Sequence, residues 1–175
     1  EDRNFKPQID SVLRLFNDTF STYIPTSSVS KFNDGDKVIV DDWIRNLHSR
    51  TQKIYESTNG LFDPTVKPLV SFWGFGGDPN ENGAKDSTQI DSILNLIGYL
   101  NIEIIGDNLL KKNQEVQLDY GAVAKGYGVD VIADFLEKNG VVSYFIEIGG
   151  EIRIGNQKPS DESWNLAIED VSEIE

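Results

Sequence analysis

Apolar residues recur at helical spacing near the start of the chain. Ile9, Val12, Leu13, Phe16 and Phe20 share one side of a 3.6-residue period, which predicts a helix over 9–22. Thr22 to Asn33 (TYIPTSSVSKFN) is polar, bends at Pro25 and reads as a loop. Asp41 and Asp42 can cap a second helix with Ile44, Leu47, Thr51, Ile54 and Tyr55 on one face, and Asn59-Gly60 ends it. His48, the only histidine, lies on this helix among polar residues, and a solvated side chain is expected.

Periodicity is lost over GLFDPTVKPLVSFWGFGGDP, residues 60–79. Two of its prolines and its Gly-rich end predict extended or irregular chain, yet it is too apolar for a solvated linker. A third helix is predicted from about Ser87 to Ile97, with Ile90, Ile93, Leu94 and Ile97 on one face. Short strands follow at Ile102–Ile105, Leu109–Lys111 and Val116–Leu118, the first two joined by a turn at Gly106-Asp107-Asn108. Gly121 to Lys138 reads as a strand-to-helix junction and a helix closed by Asn139-Gly140. Val141–Ile148 and Glu151–Ile154 read as strands around Gly149-Gly150, and Trp164–Ile168 as a last strand. The mixture of helices with mostly antiparallel strands predicts an α+β fold, not a doubly wound sheet, in one domain spanning 1–175.

Composition narrows the chemistry. The 175 residues suffice for one cored domain. With 29 acidic and 16 basic side chains the net charge is −13, which disfavours nucleic acid as a partner. Any bound phosphate must then be held by backbone N–H groups, a single cation or a metal ion. Cysteine is absent, which excludes disulfides, thiolate catalysis and Cys-ligated metals and leaves the compartment open. No apolar run is long enough for a transmembrane helix, and no signal peptide is seen. The chain starts at Glu1 without an initiator Met, so a processed or truncated chain is expected, which leaves room for a removed anchor.

Four stretches are candidates for chemistry. Leu118 to Asp130 (LDYGAVAKGYGVD) runs from a strand ending in Asp119, through Gly121, into a helix with Lys125 in its first turns. Free amides at a helix start favour an anion, and Lys125 adds positive charge. It is neither a Walker loop nor a dinucleotide fingerprint. By local physics alone, a helix start with a surface Lys is the better account. In NGLFDPTV, Asp63 sits among apolar residues, where either a ligand or an Asx turn before Pro64 can satisfy its carboxylate. In STYIPTS, followed by Ser30 and Asn33, Tyr23 can stack on a planar ring, or the segment is a polar loop with one packed aromatic. In EIGGEI, the glycines make a hairpin turn, which can also border a ligand. Trp43, Trp73 and Trp164 read as core or boundary residues, and no carboxylate cluster marks a metal site.

Taken together, these stretches resemble the ApbE family. STYIPTS with VSKFN is similar to its N-terminal motif of a serine, an aromatic, then Ser and Asn. NGLFDPTVKPLVSFWGF resembles its G-a-F-D-P-T-V-x-P-L-x-x-x-W-G-F segment. LDYGAVAKGYGVD resembles L-D-L-G-A-I-A-K-G-Y-A-V-D, and IEIGGEIRIG resembles its G-G-E-I segment. Members are FAD:protein FMN transferases that bind FAD with Mg²⁺ and move FMN onto a Thr or Ser hydroxyl, releasing AMP. Their targets include subunits of membrane electron-transfer complexes, and many members are periplasmic or lipid-anchored at the cell envelope. The resemblance implies that Tyr23 packs near the FAD rings and that Leu61, Phe62 and Asp63 line the FAD site. It further implies that Asp119 binds FAD, that Lys125 lies near the phosphates, and that Ala122 offers its main-chain carbonyl to Mg²⁺. The nucleophile comes from the target protein, and no general base is identified.

Two departures stand out. The family pattern continues to a His-x-x-Asp-Pro-x-Thr-Gly segment whose Asp and Thr complete the Mg²⁺ site, and the sequence stops at Glu175 before it. The family's first strand before the N-terminal helix is also missing. The expectation is a fragment that holds Mg²⁺ poorly and is inactive as a transferase. The alternatives are a family member that binds FAD or metal without transferring FMN, an FAD pyrophosphatase using water in place of the target hydroxyl, or a structural domain.

Overall fold

Spacing of apolar residues predicts the long helices well and the short ones badly. The computed structural model describes residues 3–75, 87–156, 158, 160 and 162–167. Its elements, in chain order, are helices α1 (Lys6–Phe20) and α2 (Ser28–Asn33), strand β1 (Val38–Ile39), and helices α3 (Asp42–Ser57), α4 (Lys67–Phe72) and α5 (Ile90–Leu94). Strands β2 (Ile102–Ile105) and β3 (Asn108–Lys111), helix α6 (Gly121–Lys138), and strands β4 (Phe145–Ile148) and β5 (Glu151–Ile154) follow. Single 3₁₀ turns occupy Ser87–Gln89 and Tyr99–Asn101. The chain is α+β, as expected, and its strand pairs are all antiparallel among the described residues.

The described residues divide into two compact units, one up to Ala124 and one from Lys125. In the first, α3 is capped as the sequence predicts: the Asp41 carboxylate accepts from Ile44 N–H at 2.7 Å. Asn59 and Gly60, at φ +51° and +80°, turn the chain out of it. The sheet order is β1-β3-β2, with Val38 opposite Leu109 and Ile104 also opposite Leu109. Phe16, Phe20, Val29, Phe32, Ile44, Leu47 and Tyr120 are buried together with Leu109, Val116 and Leu118. The Phe20 and Tyr120 rings meet edge-on at 5.9 Å. In the second unit, β4 and β5 form a hairpin whose turn, Gly149-Gly150, has positive φ at both positions. Arg153 there joins Asp130 at 2.9 Å and Glu137 at 3.3 Å, and the Tyr144 hydroxyl also donates to Glu137.

Several expectations are corrected. The Thr22–Asn33 loop contains α2, because the Ser27 hydroxyl oxygen accepts from Ser30 N–H at 3.0 Å and caps it. Six residues are too few to show a period. The stretch read as irregular contains α4, since Pro68 sits in its first turn, where a missing N–H costs nothing. The last residues of that stretch, from 76 to 79, lie outside the described residues. Val116–Leu118 and Val141–Tyr144 are not strands, and residues 164–167 form none, Ile168 being outside the described residues. The third helix is shorter than expected, a 3₁₀ turn followed by α5. Trp73 is half exposed.

His48 is not solvated. It retains only 8% of its exposure and lies between Ile44 and Thr51 on the buried stripe of α3, at the spacing of the apolar face. Its Nδ1 is 2.9 Å from the Tyr99 hydroxyl, which is also 2.6 Å from the Thr51 hydroxyl. Burial raises the Tyr99 phenol above its ordinary value and lowers the His48 imidazole below its ordinary value of about 6.5. In the unfolded chain the ring takes up a proton near that value, while the folded chain resists. His48 therefore contributes stability that is full above this pH and is lost as pH falls toward the folded value. We expect the melting temperature to fall between about pH 7.5 and 5.5, and His48→Gln to flatten that slope. An unchanged slope in the variant would show that other groups carry it.

Candidate functional site

Asp63 is held by its own turn. Its Oδ1 accepts from Thr65 N–H at 2.7 Å and from the Thr65 hydroxyl at 2.5 Å, an Asx turn ahead of Pro64. Its Oδ2 accepts from Tyr99 N–H at 3.2 Å, and the Thr65 oxygen accepts from Gly98 N–H at 2.8 Å. The carboxylate thus ties the segment before α4 to the turn that precedes β2.

Asp119 is held differently. Its backbone N–H donates to the Pro64 carbonyl at 2.7 Å, which joins the FDP segment to the start of α6. Its Oδ1 accepts from Gly121 N–H at 2.7 Å, and its Oδ2 has no hydrogen-bond partner among the described residues. Position 121 tolerates only glycine without rearrangement, since a Cβ there would lie 2.9 Å from Asp119 Oδ1. The amides of Val123 and Ala124 both donate to the Tyr120 carbonyl. That leaves the Ala122 N–H as the first-turn amide with no acceptor among the described residues, at the electropositive end of an 18-residue helix.

These two segments enclose a cleft of about 380 Å³. Leu61, Phe62 and Asp63 line it with Pro64, Val66 and Val70, and Asp119, Gly121 and Ala122 complete it. The volume falls within the usual range for small-molecule sites, about 300–1,000 Å³. Leu61 is 93% exposed, so an apolar side chain stands ready to be covered. The structure therefore brings together five of the residues singled out in the sequence: Leu61, Phe62, Asp63, Asp119 and Ala122. Tyr23 is not among the lining residues. It stands 73% exposed in a turn closed by Ser21, whose hydroxyl oxygen accepts from Tyr23 N–H at 3.1 Å. It is therefore not the packed aromatic of the alternative account. Lys125 belongs to the second unit, where its ammonium lies 3.0 Å from the Glu151 carboxylate and donates to the Gly149 carbonyl at 3.1 Å.

The donor set does not by itself make a magnesium site. Among the described residues no group of three or more His, Asp or Glu side chains could hold a metal. Ala122 lies in the first turn of α6, where a helical carbonyl is engaged by the amide four residues on. Two supporting contacts have little or no local signature. Thr65 bridges Asp63 to Gly98, and the Asp-Pro-Thr spacing was its signal. Asn33 clasps the backbone of Leu118, a pairing across 85 positions that no local pattern reveals.

The sequence profile of the ApbE family matches residues 2–175. The FAD:protein FMN transferase of Vibrio cholerae is 32% identical over 172 residues, covering 97% of this chain and 52% of that protein. That of Haemophilus influenzae is 31% identical over 171 residues, covering 93% of this chain and 49% of its own length. The chain spans about half the length of the curated relatives it matches. Among solved structures, the flavin transferase ApbE of Vibrio cholerae superposes with a TM-score of 0.88 at 32% identity, over 97% of this chain and 56% of that one. The flavinyl transferase ApbE of Pseudomonas stutzeri, in its apo form, gives 0.86 at 32% identity, over 94% and 56%. Profile, sequence and fold agree over nearly the whole of these residues, and the chain belongs to the ApbE family.

Proposed function

We propose that this chain carries the FAD-binding cleft of an FAD:protein FMN transferase. The observation that supports this most is the meeting of the FDP segment with the first turn of α6. It places an apolar wall, a free carboxylate oxygen and an unengaged helix amide around one cleft. An apolar wall suits a flat ring. The helix amide suits a phosphate oxygen, and the Asp119 carboxylate suits a ribose or ribityl hydroxyl. The relatives named for this activity supply the reaction class.

In the proposed reaction, the hydroxyl oxygen of a Thr or Ser on a target protein attacks the FMN-side phosphorus of FAD. A new phosphorus–oxygen bond forms as the bond to the bridging oxygen breaks. AMP leaves, and the hydroxyl proton is released. Such a transfer needs positioning and charge neutralisation more than a reactive side chain, which suits a chain without cysteine and with its one histidine buried. A requirement for Mg²⁺ is part of the proposal. Its remaining ligands would come from outside the described residues, and no step is assigned through it. The targets would be flavoproteins of membrane electron-transfer complexes. No helix among the described residues is long and apolar enough to cross a membrane. Placement in the periplasm or at the cell envelope through a lipid anchor rests on the family resemblance.

Two measurements test this reading. FAD titrated into the purified chain in Mg²⁺ should quench flavin fluorescence to saturation, and the same titration in EDTA shows whether binding needs the ion. No saturable binding would defeat the FAD reading, and tightening by Mg²⁺ of about ten-fold or more, 1.4 kcal/mol, would place a complete metal site in this chain. The two acids should also separate. Asp119→Asn keeps an oxygen to cap Gly121 and should weaken FAD by about ten-fold while leaving the melting temperature nearly unchanged, on the scale of a lost charged hydrogen bond. Asp63→Asn removes one of the acceptors serving Thr65 and Tyr99 and should cost about 1–3 kcal/mol of stability in urea unfolding. The reverse pattern would show that Asp63, not Asp119, faces the ligand.

A further inference from the structure

Leu118 and Asp119 belong to no strand pairing among the described residues. Asn33, the last residue of α2, takes the place of one. Its Nδ2 donates to the Leu118 carbonyl at 2.8 Å, and its Oδ1 accepts from Leu118 N–H at 2.6 Å. The next amide, of Asp119, donates to the Pro64 carbonyl. The residues leading into α6 are therefore gripped by Asn33 at one and by the FDP segment at the next. Asn33 is itself fixed. Its own carbonyl accepts from the Lys111 ammonium at 3.1 Å, and that ammonium lies 4.9 Å from the Phe32 ring. The rest of α2 reaches back to the Tyr23 turn: the hydroxyls of Ser27 and Ser30 donate to the Ser21 carbonyl at 2.5 and 3.3 Å. Ser21 in turn holds the amides of Tyr23 and Ile24.

We propose that Asn33 is a positioning residue that sets Asp119 and the first turn of α6 for the ligand of the cleft, and that α2 keeps the Tyr23 turn in register with them. This inference rests on the FAD reading of the cleft. The chemistry requires asparagine. A carboxylate at position 33 can still accept from Leu118 N–H but would face the Leu118 carbonyl with no proton to give. Glutamine carries the amide one carbon too far, and an apolar side chain leaves both Leu118 groups unpaired.

The test combines amide hydrogen exchange with FAD titration on the full chain. The proteins are wild type, Asn33→Asp, Asn33→Ala and the core control Ile44→Val, at a temperature where each is folded. In the Asn33 variants the amides of Leu118 to Val123 should exchange faster relative to the rest of the first unit, by about ten-fold or more in Asn33→Ala, which loses both hydrogen bonds, and by less in Asn33→Asp, which keeps one. FAD should weaken by a comparable factor, more in Asn33→Ala than in Asn33→Asp. Ile44→Val should lower overall protection without changing either ratio. Should Asn33→Ala fail to fold, Asn33→Asp decides by the same comparison. Unchanged relative exchange at Leu118–Val123 would overturn the proposal whatever FAD does, and so would faster exchange with wild-type FAD affinity. A wild-type chain that binds no FAD would instead defeat the reading of the cleft, and the exchange ratios would still say whether Asn33 holds Asp119 in place.

Discussion

The backbone of Leu118 and Asp119 must be hydrogen-bonded without a sheet to do it, and the candidate site depends on how that is done. Buried N–H and C=O groups go unpaired only at considerable cost. Here three bonds do so: the Asn33 amide donates one to the Leu118 carbonyl and accepts one from Leu118 N–H, and Asp119 N–H donates to Pro64. Each draws in a different part of the chain. The same bonds that satisfy the backbone therefore bring α2, the FDP segment and the start of α6 to one place. Val116, Leu118 and Tyr120, buried at alternate positions, hold the segment down from the other side.

Within this arrangement two aspartates of similar sequence setting have opposite tasks. Asp63 is engaged at both oxygens by Thr65 and Tyr99, so its carboxylate secures the chain. Asp119 uses one oxygen to cap Gly121 and keeps the other clear of the described protein groups. The difference follows from geometry rather than from residue type. A carboxylate that closes its own turn has little left to offer, whereas one that caps a helix start stands beside the electropositive end of that helix and its unengaged Ala122 amide. In the second unit Lys125 pairs with Glu151. In the first, the Ala122 amide is the first-turn donor left without an acceptor among the described residues.

Much of the fold could be read from spacing. The apolar stripes of α1 and α3, the Asp41 cap and the Asn59-Gly60 exit are visible because they repeat or because the residue type has one main use there. Helices α2 and α4 were hidden, being six residues each and opened by a serine cap or a proline. The polar neighbours of His48 mask its place: one turn after Ile44, it lies on the buried stripe. The site was legible in a narrower sense. Local physics left Asp63 balanced between ligand and Asx turn, and the structure shows the turn. Family motifs in the right order named Leu61, Phe62, Asp63, Asp119 and Ala122, which line one cleft, along with Tyr23 and Lys125, which do not, and nothing local could show that Asn33 reaches Leu118. Long-range pairing through a side chain leaves no period in the sequence.

Under the proposed function, the cleft between Leu61–Val66 and Asp119–Ala122 receives the flavin nucleotide. Heteronuclear NMR, following amide chemical shifts as FAD is added, locates the ligand. Shifts should concentrate at Leu61, Phe62 and Val66 and at Asp119 to Ala122, and be largest at the Ala122 amide. Shifts gathered instead around His48, Glu103 and Lys112, which line a separate cleft, or none at saturating FAD, would contradict that placement.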